Sequence, residues 1–187
     1  MSEYHILVNR EHPLSKDYVP GDLQEACFPF LADPGDPKRL LRKSACLAAQ
    51  KLFARAQHQG LSLWGISGYR SYTRQAEIYR QRLSQAGADH TNAYLAPPGC
   101  SEHQTGLALD VSCPQISYEL EDSFAQTPEG RFLTKHAAFY GFILRYPRGK
   151  ESITGYAWEP WHIRYVGRPL ALYLSFTGLI LEEYLSL

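Results

Sequence analysis

The 187-residue sequence predicts an α+β fold, a small antiparallel sheet flanked by helices, in one domain spanning residues 1–187. Three observations carry this. Helical periodicity gathers toward the ends of the chain and strand-like runs fall near the middle, without the regular alternation of a parallel βαβ array. No internal repeat, charge block or low-complexity segment divides the chain. Its length is enough to bury a single sizeable core.

Residues 1–35 carry the turn signals His12-Pro13, Val19-Pro20-Gly21-Asp22 and Asp33-Pro34-Gly35, and read as an extended arm packed on the domain. Asp36 and Pro37 then supply an N-cap and a first-turn proline. Leu40, Leu41, Leu47, Ala48 and Leu52 follow at helical spacing until Gly60, which predicts one core-facing helix over that stretch. Residues 61–67 alternate as a strand, and Gly68-Tyr69-Arg70-Ser71 forms the loop after it. A second helix is expected from Thr73 to Gln85, with Ser71 or Thr73 as cap, Gly87 as terminator and a loop from Gly87 to Gly99. Leu107 to Val111 reads as a buried strand. Thr127-Pro128 starts a helix running to Gly141, residues 142–146 and 162–166 are strands, and residues 170–185 close the chain as one helix.

Nineteen basic and nineteen acidic residues give a formal net charge of zero, and the cations are scattered, so no footprint for nucleic acid exists. A small or zwitterionic partner suits this balance. In the first residues, MSEYHILVNREHPL, the only apolar run is Ile6-Leu7-Val8, too short for a signal-peptide core or a membrane segment. The expectation is a cytoplasmic chain. Cys27, Cys46, Cys100 and Cys113 include no Cys-x-x-Cys pair and read as free thiols of a reducing compartment.

Two segments concentrate chemistry: Ser101-Glu102-His103-Gln104-Thr105-Gly106-Leu107-Ala108-Leu109-Asp110, and Trp158-Glu159-Pro160-Trp161-His162. A catalytic zinc takes three protein ligands from His and carboxylate side chains and keeps a fourth position for water. His103, Asp110 and His162 meet that count. A reversal at Gly106 followed by a strand would bring His103 and Asp110 to one metal, because glycine tolerates the tight turn. Pro160 keeps Glu159 and His162 off a helix interior and predicts a loop entering a strand. From there Glu159 would serve as general base toward the metal's water without ligating the metal. Trp158 and Trp161 would wall the site, and Tyr156 is open between lining the pocket and ordinary packing. His5, His12, His58, His90 and His136 lack such context and take structural or surface roles.

The segments SEHQTGLALD and EPWH, with LVNREHPL, SGYRSYTRQ, PPGC and GFILRYP, resemble the zinc D-alanyl-D-alanine carboxypeptidases of the VanY and VanXY type over most of the chain. The resemblance implies the small α+β fold that these D,D-peptidases share with the hedgehog signalling domain. It implies Zn2+ on His103, Asp110 and His162, with Glu159 as base. It also implies Arg70 as the arginine that holds the substrate carboxylate or polarises the scissile carbonyl, with Gln75 and Ser101 beside it in substrate binding. The substrate implied is the D-Ala-D-Ala end of a peptidoglycan precursor peptide, or the free dipeptide, as in vancomycin resistance. Three alternatives share these motifs: an L,D-carboxypeptidase trimming tetrapeptides, a phage-type endolysin, and a zinc-binding module without turnover.

Overall fold

The computed structural model describes residues 3–187, the side chains of residues 86–94 excepted. The strands are β1 (Leu23–Glu25), β2 (Leu40–Arg42), β3 (Trp64–Ser67), β4 (Ala108–Ser112), β5 (Phe142–Tyr146) and β6 (Glu159–Tyr165). The helices are α1 (Lys43–His58), α2 (Tyr72–Tyr94), α3 (Pro128–His136), α4 (Glu151–Thr154), α5 (Arg168–Thr177) and α6 (Leu181–Leu185). Four strands form an antiparallel sheet in the order β3-β4-β6-β5, and β1 and β2 pair separately. The predicted α+β class with a small antiparallel sheet is the architecture found.

The two faces of the sheet are buried differently. Leu109 and Val111 of β4, Phe142 of β5 and Ile163 of β6 pack toward α1 and α3 in the larger core cluster. Along α1, Ala45, Ala49, Leu52 and Ala56 recur at three- and four-residue intervals and are fully buried, which is the apolar stripe a core-facing helix requires. Ile143 and Val166 pack with Leu170, Ala171 and Leu174 of α5 and Leu181 of α6 in a second cluster. The whole of β4 is buried, so Asp110 points away from Leu109 and Val111 yet stays out of water.

Several boundaries differ from the sequence expectation. Asp36 caps only a 3-10 turn, Pro37–Arg39, accepting the Lys38 N–H at 2.8 Å. The chain then extends as β2, because the carbonyls of Lys38 and Leu40 accept the N–H groups of Gly68 and Tyr69 at 2.6 and 2.7 Å and are lost to a helix. Strands as short as β1 and β2 carry too few side chains to show a period. Gly87 does not stop α2: one glycine costs a helix only about 1 kcal/mol, and the alanines around it favour continuation. The closing helix is broken at Gly178, whose φ of 73° ends α5 in a left-handed cap, and α6 restarts where Glu183 accepts the Ile180 N–H at 2.9 Å. Strand β6 begins at Glu159 and contains Pro160. The register against β5 is irregular between Leu144 and Tyr146, and the missing proline N–H falls in that stretch.

Leu109 lies at the centre of the larger core with no exposed surface. Leu109→Ala should lower unfolding free energy by about 2–5 kcal/mol, the range for large-to-small changes in a closed core. Urea titration of both proteins gives the difference; a change below about 1 kcal/mol would contradict the packing described.

Candidate active site

The antiparallel register sets Asp110 opposite both Ser67 of β3 and His162 of β6, so two predicted site residues are cross-strand neighbours. His103 arrives by a different route. Residues 102–105 form a 3-10 turn closed by Gly106 at φ 66° and ψ 13°, the left-handed reversal the sequence called for. A Cβ at Gly106 would also stand 2.8 Å from Leu23 Cδ2, so the turn packs tightly on β1. The His103 carbonyl accepts the Arg70 N–H at 3.1 Å, which ties this turn to the end of β3.

His103 Nδ1 lies 2.6 Å from the Gly68 carbonyl, which can only accept, so Nδ1 carries the hydrogen and Nε2 presents its lone pair. Nε2 is 3.1 Å from Asp110 Oδ2, and His162 Nδ1 is 2.9 Å from Asp110 Oδ1. One donor atom from each of His103, Asp110 and His162 lies within 4.8 Å of the others, and all three residues are buried. Two imidazoles and one carboxylate form a group able to hold a metal ion, with the donor count of an open catalytic site.

Glu159 Oε2 stands 3.8 Å from His162 Nδ1 on the rim of this group. Burial, reinforced by the negative charge of Asp110, pushes its carboxyl up to about 8, against the opposing pull of His162 and Arg70. Burial works against charge on His162, yet the hydrogen bond to Asp110, the Glu102 carboxylate facing the ring and the Asp110 charge raise it to about 9. Burial works against the Asp110 charge as well, and His103 and His162 nonetheless hold that carboxyl well below the usual range. His103 is shifted down, first by burial and then by Arg70.

These residues form the floor of a cleft of about 640 Å³ that Arg70, Gln75 and Ser101 also line. Arg70 Nη1 donates to Gln75 Oε1 at 2.9 Å and Nη2 to Ser67 Oγ at 3.1 Å, while Gln75 Nε2 donates to the Ala96 carbonyl at 2.6 Å. Gln75 therefore spends both ends of its amide holding Arg70 to the chain. Ser101 is buried beside His103 and makes no side-chain capping bond to the turn it precedes.

One aromatic expectation needs correction. Trp161 lines the cleft, but Trp158 does not: its ring lies under the Arg148 guanidinium at 4.1 Å, a cation–π contact outside the cleft. Tyr156, open between lining and packing in the sequence, lines the cleft together with Tyr146, whose ring lies 4.9 Å from that of His162. Sequence reasoning also passed over Glu102, Arg145 and Arg164, which are buried together beneath the metal-binding group. Arg145 Nε and Arg164 Nη1 both donate to Glu102 Oε1 at 2.7 Å. The adjacency of Glu102 to His103 was the one available signal. All four cysteines are free thiols, and no helix among the described residues is long and apolar enough to cross a membrane.

Residues 38–168 match the family VanY: D-alanyl-D-alanine carboxypeptidase. The chain is 42% identical to YodJ of Bacillus subtilis (strain 168) over 95% of its own length and 65% of that protein's, so it spans somewhat under two thirds of this relative. It is 35% identical to the bifunctional D-Ala-D-Ala dipeptidase and D-Ala-D-Ala carboxypeptidase VanXYC of Enterococcus gallinarum, covering 95% of this chain and 91% of that one. Among solved structures, the LdcB LD-carboxypeptidase superposes with a TM-score of 0.91 at 42% identity, covering 96% of this chain and 84% of that one. A VanY D,D-pentapeptidase mutant from a VanB-type resistance cassette, in complex with Zn(II), superposes at 0.78 with 33% identity, covering 97% and 98%. The chain belongs to the VanY D-alanyl-D-alanine carboxypeptidase family.

Proposed function

We propose that this chain is a zinc-dependent carboxypeptidase that hydrolyses the terminal D-Ala-D-Ala bond of a peptidoglycan precursor peptide, and the free dipeptide as well. The observation that carries this reading is the convergence of His103, Asp110 and His162 beside a buried, protonatable Glu159 at the floor of one cleft. The Zn(II) complex of the VanY pentapeptidase and the bifunctional name of VanXYC support the metal and the substrate.

Zinc, held by His103 Nε2, Asp110 and His162 Nδ1, would supply Lewis-acid polarisation of water and of the scissile carbonyl. The remaining work falls to the chain. Glu159 takes a proton from the attacking water at a carboxylate oxygen and passes it to the nitrogen of the departing D-alanine. In the metal-free fold burial favours the protonated carboxyl, the form from which that proton is delivered. Arg70 presents a guanidinium fork to the terminal carboxylate of the substrate or to the carbonyl oxygen as charge develops there, and Gln75 fixes its orientation. Ser101 offers its hydroxyl to the peptide from the cleft wall. Trp161 and Tyr146 exclude water.

A second reading has its own support: both identity and TM-score are higher for LdcB, described as an LD-carboxypeptidase, than for the VanY pentapeptidase. The test is mass spectrometry of zinc-loaded protein incubated separately with D-Ala-D-Ala, UDP-muramyl pentapeptide and the matching tetrapeptide. Loss of D-alanine from pentapeptide or dipeptide supports the first reading. Cleavage of the tetrapeptide alone transfers the assignment to L,D-carboxypeptidase, and no cleavage of any of the three removes the enzymatic proposal.

Glu159→Gln should lower kcat by about 10²–10⁴-fold, the usual worth of a positioned general base, while zinc stays bound. Unchanged turnover would remove Glu159 from the role. Arg70→Ala should lower kcat/KM by about 10- to 150-fold, as loss of a charge-assisted hydrogen bond of about 1.5–3 kcal/mol implies; equal values in the two proteins would exclude contact with substrate.

Metal removal should also show in the pH dependence of stability. In the metal-free fold Glu159 keeps its proton up to about 8 against an ordinary value of 4.5, and His162 up to about 9 against 6.5. Between those limits the folded state binds more protons than the unfolded one, so this stability is present at lower pH and lost as pH rises through 8 and 9. The Tm of chelator-treated protein should fall from pH 6 to pH 9, and Glu159→Gln should flatten part of the fall. Calorimetry showing a flat or rising Tm over that window would contradict the assignment.

A further inference from the structure

Resting on the metal site just proposed, we infer that Glu102 is a positioning residue for the metal: its free carboxylate oxygen holds the Nε2 hydrogen of His162 and so reserves Nδ1 for zinc. Two unpartnered atoms carry the inference. Glu102 is 1% exposed and His162 4%, and among the described residues neither Glu102 Oε2 nor His162 Nε2 has a hydrogen-bond partner. They face each other at 3.7 Å. A buried acceptor and a buried ring nitrogen left opposite one another gain by sharing a hydrogen, and a carboxylate can only accept it.

The other oxygen of the carboxylate explains why this one stays aimed. Oε1 is fixed by Arg145 Nε and Arg164 Nη1, both at 2.7 Å, so the carboxylate cannot rotate without leaving two guanidiniums short of an acceptor. The guanidiniums are themselves anchored. Arg145 forks onto Glu182 of α6 at 2.9 and 2.6 Å, and Arg164 Nη2 donates to the carbonyls of Tyr4 and Ile6 at 3.1 and 2.8 Å. His103 is oriented by a backbone carbonyl at its Nδ1, so each imidazole has its own partner on the side away from the metal.

The amide of Glu102→Gln makes the test specific. The two arginines require an oxygen, which turns the amide nitrogen toward His162. That nitrogen donates, so Nε2 must accept and the ring hydrogen is driven onto Nδ1, the atom meant for zinc. Zinc affinity, measured by competition with a fluorescent chelator, should fall by about 10- to 100-fold, the usual effect of losing a partner behind a metal-bound histidine. Glu182→Gln removes a carboxylate from the same network without facing His162, and should lower thermal stability while leaving zinc affinity within about threefold.

Should Glu102→Gln fail to fold, the wild-type zinc-loaded protein still decides the matter through the 15N shifts of the His162 ring. A hydrogen on Nε2 with Nδ1 bound to metal is expected; the reverse overturns the proposal. Equal zinc affinity of wild type and a folded Glu102→Gln overturns it too, with the metal site left standing. If the wild type binds no zinc, the metal-site reading fails and this inference fails with it.

Discussion

The site depends on one constraint: the register that sets Asp110 of β4 opposite His162 of β6 in the middle of the sheet. A slip by one residue would turn Asp110 into the apolar core and bring Leu109 to the cleft, since alternate residues of a strand face opposite ways. That register is enforced from the other face. Leu109, Val111 and Ile163 are fully buried against α1 and α3, so the apolar core locks the polar site in place. His103 needs no strand of its own, because the Gly106 reversal and the carbonyl of Gly68 deliver it to the same point.

Burying this much charge requires compensation close at hand. Glu102 and Glu182 together balance Arg145 and Arg164, so the network beneath the site is neutral as a set. Burial alone would raise the Glu102 carboxyl, but the two guanidiniums hold it well below the carboxylate range. Such a cluster adds little net stability compared with an apolar filling, whereas losing one member typically costs about 3–5 kcal/mol because a charge is left unmatched. Its value here is geometric. It connects the carbonyls of Tyr4 and Ile6 and the α6 carboxylate to the strands that carry the site, joining segments far apart in sequence around one carboxylate.

The parts of the molecule legible in the sequence are those where a short stretch must supply a definite chemistry or a sustained period. His103, Asp110, His162 and Glu159 could be named because a carboxylate and histidines clustered in two segments have few other uses, and Gly106 because a reversal was needed between two of them. The apolar stripe of α1 and the strand β5 were equally readable from their spacing. What escaped was set by tertiary contact. Whether Arg145 points to water or to Glu102 is decided by β5 lying beside β6, and no local pattern announces it. Trp158 and Trp161 are three residues apart and alike in kind, yet one meets Arg148 and the other the cleft. Gly87 and Gly178 look the same in sequence, but only the second adopts a left-handed cap, after which Leu181 turns into the second core cluster.

On the proposed function, the residues that were easiest to read would not choose the substrate. His103, Asp110, His162, Glu159 and Arg70 would all meet the scissile amide or the terminal carboxylate, groups that D,D- and L,D-linked peptides share. Stereochemistry changes instead where the side chain before the cut projects, and so it is felt by the walls of the cleft. Those walls come from elements with little in common: Arg82 of α2 and the loop carrying Leu95 and Ala96 on one segment, Leu120, Glu121 and Asp122 on another. A shared floor with independently supplied walls lets one catalytic arrangement serve peptides of either configuration. On the proposed function, specificity would lie with residues whose spacing carries no motif.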